Sequence, residues 1–292
     1  MDKRAESFLR VTMIGDGYVS LVSGACFADF GYHVTCIDRD EGKIALLRRG
    51  QMPIYEPDIK ELVERNVRGG WLSFTTSLSA TEALADAVFI AVATPSRRGD
   101  GRADLSFVFD AAAELDGYTV VITKSTAPVG TGDEVERIIR GARPDTDVAV
   151  VSNPEFLREG AAIQDFKHPD RIVVGTEDER ARAVMADLYR PLHLNAAPIL
   201  YTDRRTAVLI KYAANAFLAT KITFINEIAV LCKKVGADVQ EVARGIGLDN
   251  RIGTKFLHAG PEYGGSCFPK DTWRCRKPGS NTAPRFGSLK PS

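Results

Sequence analysis

The chain has 292 residues, enough for one large domain or two ordinary ones with a full hydrophobic core. Its 38 basic and 38 acidic residues cancel, which argues against a nucleic-acid partner and against a polybasic membrane surface. No uninterrupted apolar run approaches the ~18 residues of a spanning helix, and the opening MDKRAESFLR lacks the apolar centre of an export signal.

The five cysteines, Cys26, Cys36, Cys232, Cys267 and Cys275, fall on separate stretches and form no CxxC pair. They read as free thiols of a reducing cytoplasm, with neither a disulfide framework nor a metal site. There is no internal repeat.

Residues 11–14 are a short β-prone run, broken by Gly15-Asp16-Gly17-Tyr18-Val19-Ser20. A helix is expected over 21–30, stopped by Gly31, and a strand over 33–37 that ends on Asp38. This is the order of a dinucleotide-binding βαβ unit. The first glycine makes the turn, and the second admits a pyrophosphate to the helix N-terminus. Asp38 lies 21 residues past Gly17 (38 minus 17), close to the ~20 expected of a carboxylate that binds the adenosine ribose hydroxyls. A carboxylate there repels a 2′-phosphate, so NAD is favoured over NADP. Two departures stand out. Ser20 occupies the third glycine position, and Asp16 places a negative charge in a loop that should receive phosphates. Lys43 reads as an exposed helix residue within reach of a cofactor.

Pro53 and Pro57 precede a helical pattern on Ile59, Leu62, Val63 and Val67. Residues 87–92 form a continuous apolar strand of the kind buried in a parallel sheet, ending in the loop Thr94-Pro95-Ser96. A helix over 104–116 and a strand over 119–123 follow, ending in the hydroxyl-rich 124–131. A helix over 133–140 leads to a strand over 148–151 that ends in Asn153-Pro154-Glu155-Phe156-Leu157-Arg158-Glu159-Gly160. Strands over 171–175 and 199–202 flank a helix at 179–189. Several successive strands thus end in polar loops at the edge where open α/β sheets bind ligands.

Residues 203–235 contain no glycine or proline and predict a helix of about 50 Å, apolar on more than one face. Lys211 and Asn215, four apart, share a face and could donate to one developing oxyanion. A snorkelling lysine and a helix-bend amide are the plainer alternative. A shorter helix is expected over 238–246. Then comes Gly264-Gly265-Ser266-Cys267-Phe268-Pro269-Lys270-Asp271, a thiol with a cation and a carboxylate close by, which suits covalent catalysis as well as it suits a buried structural cysteine. Residues 273–292 carry three prolines, five basic residues and no acid, the composition of a disordered tail. The expected division is therefore 1–202 for a Rossmann-like NAD-binding domain with a doubly wound parallel sheet, 203–272 for a central helical region, and 273–292 for the tail.

Together the glycine turn, Lys124-Ser125-Thr126, the 153–160 stretch, Lys211-Tyr212-Ala213-Ala214-Asn215-Ala216-Phe217 and the 264–271 loop resemble the UDP-glucose/GDP-mannose dehydrogenase family, from about residue 10 to Thr272. Phe268 is more like the branch that acts on UDP-glucose. The resemblance implies oxidation of the sugar C6 alcohol to a carboxylate with two NAD⁺, through a thiohemiacetal and thioester on Cys267. It assigns Lys211 and Asn215 to oxyanion stabilisation, Asp271 and Thr126 to the hydrolytic water, and Glu155 to acid–base assistance. Gly15, Gly17, Tyr18, Val19, Asp38, Lys43, Thr126, Glu159 and Lys270 match cofactor positions. Glu155, Phe156, Leu157, Arg158, Lys211, Asn215, Arg251, Phe256, Leu257, His258, Ala259, Gly260 and Gly264 match substrate positions, with Arg251 expected to reach a neighbouring subunit's site. A homodimer through the 203–235 helix is expected. So is a chain lacking the family's second C-terminal α/β domain, with impaired activity.

Overall fold

A computed structural model describes residues 9–15, 17–77, 85–91, 118–124, 128–193 and 197–260. The chain divides into two compact units between Val208 and Leu209.

The first unit is built on one sheet. Its strands are β1 (Arg10–Ile14), β2 (His33–Ile37), β3 (Leu72–Thr75), β4 (Ala87–Ile90), β5 (Thr119–Thr123), β6 (Val148–Ser152), β7 (Ile172–Gly175) and β8 (Ile199–Thr202). They lie in the order β3-β2-β1-β4-β5-β6-β7-β8. The first six are parallel; β7 runs antiparallel to β6, meeting it at Ser152 and Gly175, and β8 is parallel to β7. The expected doubly wound parallel sheet is thus present, with a two-strand edge of opposite direction.

Strand periodicity assigns the two faces. Val11 and Met13, Ala87 and Phe89, Val120 and Ile122, and Ala149 and Val151 turn to one side, against α1 (Tyr18–Asp29), α2 (Glu41–Arg48) and α3 (Ile59–Arg68). Ile14, Val88, Ile90, Val121, Val148 and Val150 turn to the other, against Val135, Ile138 and Ile139 of α4 (Thr131–Ala142). Three further helices lie among the described residues of this unit: α5 (Ala162–Lys167), α6 (Glu179–Leu188) and α7 (Arg190–His193). Phe27 of α1 is fully buried among Phe89, Phe166 and Tyr189, with ring centroids 5.1 to 5.6 Å away.

Ser20 is fully buried, and its hydroxyl has no hydrogen-bond partner. The tightest approach of α1 to the sheet falls one turn further on. A Cβ at Gly24 would lie 2.8 Å from the sulfur of Cys36 and 3.4 Å from Cγ of Met13. The helix comes down on β2 at Gly24, which is why a serine is accommodated at position 20.

β3, α5 and α7 were not expected from the sequence, and of α2 only the helical setting of Lys43 was. Leu72-Ser73-Phe74-Thr75 alternates for only four residues, too short a pattern to separate from chance. Helix α2 is started by its cap: the Asp40 side chain accepts from the Lys43 N–H at 3.1 Å.

Helix α8 (Arg204–Val235) leads from the first unit into the second, matching the expected break-free stretch. In the second unit Ile225 of α8, Ala243 of α9 (Val239–Gly247) and Leu257 form a small core with Ile228, Val239, Ile246 and Ala259. Among the described residues α8 alone is long and apolar enough to cross a membrane, a property that no uninterrupted apolar run had announced. The core helix of a soluble protein passes the same test.

Candidate cofactor and active site

At the C-terminal ends of the parallel strands the chain places Gly15 after β1, Asp38 after β2, Ala91 after β4, Lys124 after β5 and Asn153 after β6. The order reverses between β1 and β4, so the ligand crevice of such a sheet lies beside Gly15. Gly15 adopts φ 104, a left-handed conformation that favours glycine, and donates its N–H to the Ile37 carbonyl at 2.8 Å. Helix α1 then begins with no side-chain cap at Gly17 and no acid in its first turn. A Cβ on Gly17 would face open space. Main-chain N–H groups at an uncapped helix start, beside a residue without a side chain, fit the diphosphate of a dinucleotide. Asp38, half-buried, is oriented by the Asp40 N–H at 2.8 Å. Lys43 is exposed in the first turn of α2. Tyr18 and Val19 are half-buried at the start of α1, and Asp16 lies outside the described residues.

The Tyr18 hydroxyl is committed elsewhere. It donates to Oε2 of Glu56, which is 5% exposed. The same oxygen accepts from the Gly160 N–H at 2.8 Å, and Oε1 accepts from the Ala162 N–H at 2.7 Å. Gly160 also donates to the Tyr18 hydroxyl at 3.2 Å. Burial first, then the bond to Glu56, pushes the Tyr18 phenol well above its usual range. One carboxylate thus joins the glycine turn to the loop after β6.

That loop is held from beneath by a second network. Lys124 is 3% exposed, and its Nζ donates to Oδ1 of Asn153 at 3.1 Å and to the Tyr189 hydroxyl at 3.2 Å. Tyr189 donates to the same Asn153 oxygen at 2.6 Å, while Asn153 Nδ2 donates to the Val173 carbonyl at 2.9 Å. The ammonium sits 5.6 Å from the ring centroids of Phe89 and Phe166 and 5.8 Å from that of Tyr189. Two residues on from Asn153, Glu155 is buried.

Beyond it, Phe156 stacks under the Arg171 guanidinium at 3.9 Å, and Leu157 is half-buried. Arg158 and Glu159 are exposed. Arg158 forms an ion pair with Asp165 at 2.6 Å, whose hydrogen bond raises the guanidinium's pKa. Cys26 is inert by contrast, its thiol pushed up to about 12 by burial.

In the second unit Lys211 and Asn215 are buried, 4% and 8% exposed, one turn apart on α8. Lys211 is therefore no snorkelling side chain. Arg251 is exposed and bonded at 2.6 Å to Asp249. Phe256 takes φ 64, rare for an aromatic residue. Leu257 is buried, Ala259 half-buried and His258 exposed. The Gly260 N–H donates to Asn226 Oδ1 at 3.0 Å. Thr126, Gly264, Cys267, Lys270 and Asp271 lie outside the described residues. Glu56, Lys124, Asn153 and Tyr189 had no assigned role in the sequence reading. Glu56 sits in a proline-flanked stretch without periodicity, so no local pattern marks it.

Residues 9–193 match the model of the UDP-glucose/GDP-mannose dehydrogenase family, NAD binding domain, and residues 205–283 match that family's central domain. The second match extends past Thr272. Over 270 residues the chain is 68% identical to a UDP-glucose 6-dehydrogenase of Rhizobium meliloti, covering 90% of this chain and 62% of the relative. It is 52% identical to the UDP-glucose 6-dehydrogenase YwqF of Bacillus subtilis, covering 90% and 60%. A solved UDP-glucose dehydrogenase from the archaeon Pyrobaculum islandicum superposes with TM-score 0.86 at 41% identity, covering 94% of this chain and 64% of that one. A GDP-mannose dehydrogenase from Pseudomonas aeruginosa gives 0.78 at 33%, covering 91% and 63%. The chain thus spans somewhat under two thirds of the length of these relatives.

Proposed function

This chain belongs to the UDP-glucose/GDP-mannose dehydrogenase family, and from that premise we propose that it serves the NAD-dependent oxidation of UDP-glucose to UDP-glucuronate. The observation that carries the reading is the buried Lys211 and Asn215 pair, in a chain whose other unit has an NAD-binding fold. A lysine ammonium and a side-chain amide one turn apart on the same helix can both donate to one developing oxyanion.

In this reading NAD⁺ supplies a hydride acceptor, twice per sugar. Gly15, Gly17 and the start of α1 would hold its diphosphate, and Asp38 its adenosine ribose. The Cys267 thiol adds to the C6 aldehyde, its proton passing to the carbonyl oxygen, and later leaves as thiol when water cleaves the thioester. Lys211 and Asn215 donate to the C6 oxygen whenever charge builds on it. Asp271 and Thr126 hold the water, and Glu155 moves its proton. Overall one CH₂OH, two NAD⁺ and one water give one carboxylate, two NADH and three protons.

Cys26, Cys36 and Cys232, buried and in no disulfide, support a cytoplasmic setting. The test is the count of NADH released per UDP-glucose, with GDP-mannose as the control substrate. Two NADH are expected with UDP-glucose; one NADH per sugar overturns the reading.

A second reading, NAD binding without turnover in a self-associating chain, is favoured by α8, where Leu209, Phe217, Phe224, Val230, Leu231 and Val235 are exposed. It expects NAD⁺ binding, no NADH, and no effect of Cys267→Ser. It also expects a dimer in light scattering that Phe217→Ser with Leu231→Ser dissociates. A monomer at all concentrations sinks the self-association.

A further inference from the structure

The Glu56 carboxylate belongs to neither loop expected to touch NAD, yet it is bonded to both. Tyr18, on one side, is the residue after Gly17 and the first of α1. Gly160, on the other, follows Glu159 directly and turns at φ 86, a conformation that aims its N–H at Glu56. Ala162 opens α5 and takes the remaining carboxylate oxygen. These three donors lie 38, 104 and 106 residues from Glu56 in the chain. A carboxylate that accepts three hydrogen bonds while 5% exposed is held on all sides, so it fixes the groups that hold it.

We infer that Glu56 is a positioning residue of the cofactor site: through Tyr18 and Gly160 it sets the spacing between the glycine turn, which fits a diphosphate, and the loop of Glu159, a residue that matches a second cofactor position. Tyr18, expected from the sequence to contact the cofactor, acts here through its hydroxyl as the near end of the clamp. A dinucleotide held by both loops would feel the spacing. ADP occupies only the glycine turn and Asp38 and does not.

This inference rests on the NAD-binding reading, and the experiment separates the two. Calorimetric titration of the full chain with NAD⁺, and separately with ADP, is run on wild type, Glu56→Ala, Glu56→Gln and Tyr18→Phe, with the ligand-free Tm recorded for each. Glu56→Ala should raise the Kd for NAD⁺ by about 10- to 100-fold, as expected when a binding group is misplaced by about an ångström. The Kd for ADP should change less than about threefold, because the turn itself is untouched. Glu56→Gln keeps an acceptor and should recover part of the loss. Tyr18→Phe, which removes one donor of three but keeps the main-chain N–H at the start of α1, should weaken NAD⁺ mildly and ADP less; it carries the test if Glu56→Ala does not fold. Equal weakening of NAD⁺ and ADP in step with Tm, or no weakening of NAD⁺, overturns the role of Glu56 alone. A wild-type chain that binds ADP and not NAD⁺ overturns the cofactor reading as well.

Discussion

In the first unit the large side chains meet one another across the sheet, Phe27 against Phe89, Phe166 and Tyr189, and the polar groups they enclose are bonded within the same unit. In the second unit the longest helix carries Phe217, Phe224, Leu231 and Val235 in solvent while Lys211 and Asn215 are buried. The usual placement of apolar and polar residues is thus partly inverted on α8. A self-sufficient core needs no external partner to explain it. Exposed aromatics on a helix point to association, and whether the buried lysine and amide serve the reaction or the fold is a matter for mutation.

The largest test of this contrast is Lys211→Ala. If the buried cation serves an oxyanion, kcat for NADH release from UDP-glucose should fall about 10²- to 10³-fold with Tm little changed. A fall in Tm with intact kcat would make Lys211 a structural group like Lys124 and remove the contrast.

Gly24→Val probes the first unit from inside. Its new side chain meets the sulfur of Cys36, so overpacking should cost ~2–3 kcal/mol in urea unfolding. Adding Cys36→Ala should return part of that, and failure to do so would place the contact elsewhere.

A smaller effect is electrostatic. Burial raises the Asp29 carboxyl, but hydrogen bonds from Lys167 and Arg65 outweigh it and hold the group below the usual carboxylate range. A depressed folded-state value adds stability that is fully present above about pH 4 and is lost as pH falls through the folded value. Asp29→Asn should therefore lower Tm at pH 7, and its gap to wild type should close in acid. A gap independent of pH would assign the loss to shape rather than charge.

The smallest concerns Asp58, which caps α3 at φ 62. Asp58→Gly relieves a left-handed aspartate, worth ~1–2 kcal/mol, against an added unfolded-chain entropy cost of ~0.5–1 kcal/mol, so stability should rise by about 0.5 kcal/mol. A loss of stability would mean that the carboxylate has a partner in α3.

The sequence carried the βαβ order because each of its signals is local. Strand β2 at His33–Ile37 ends at the expected acid, β5 and β8 match to the residue, and α8 is as long as its glycine-free stretch. Boundaries at α1 were less legible: the helix begins at Tyr18 rather than Leu21, because an N-terminus set by a glycine turn has no capping side chain to announce it. Glu56 was invisible for another reason. Its three partners lie 38 to 106 residues away, and nothing in Tyr55-Glu56-Pro57 distinguishes a buried acceptor from a loop acid.

By itself the chain determined the kind of sheet, the place of the glycine turn, the acid at position 38 and the spacing of Lys211 and Asn215, since periodicity, turn chemistry and short spacings are properties of neighbours. Only tertiary structure decided that Lys211 is buried and not snorkelling, that α1 meets the sheet at Gly24 and not at Ser20, and that Tyr18 serves Glu56. Each of those depends on which distant segment supplies the facing atoms. Burial and hydrogen bonding across a fold are set by that pairing, which no stretch of sequence carries alone.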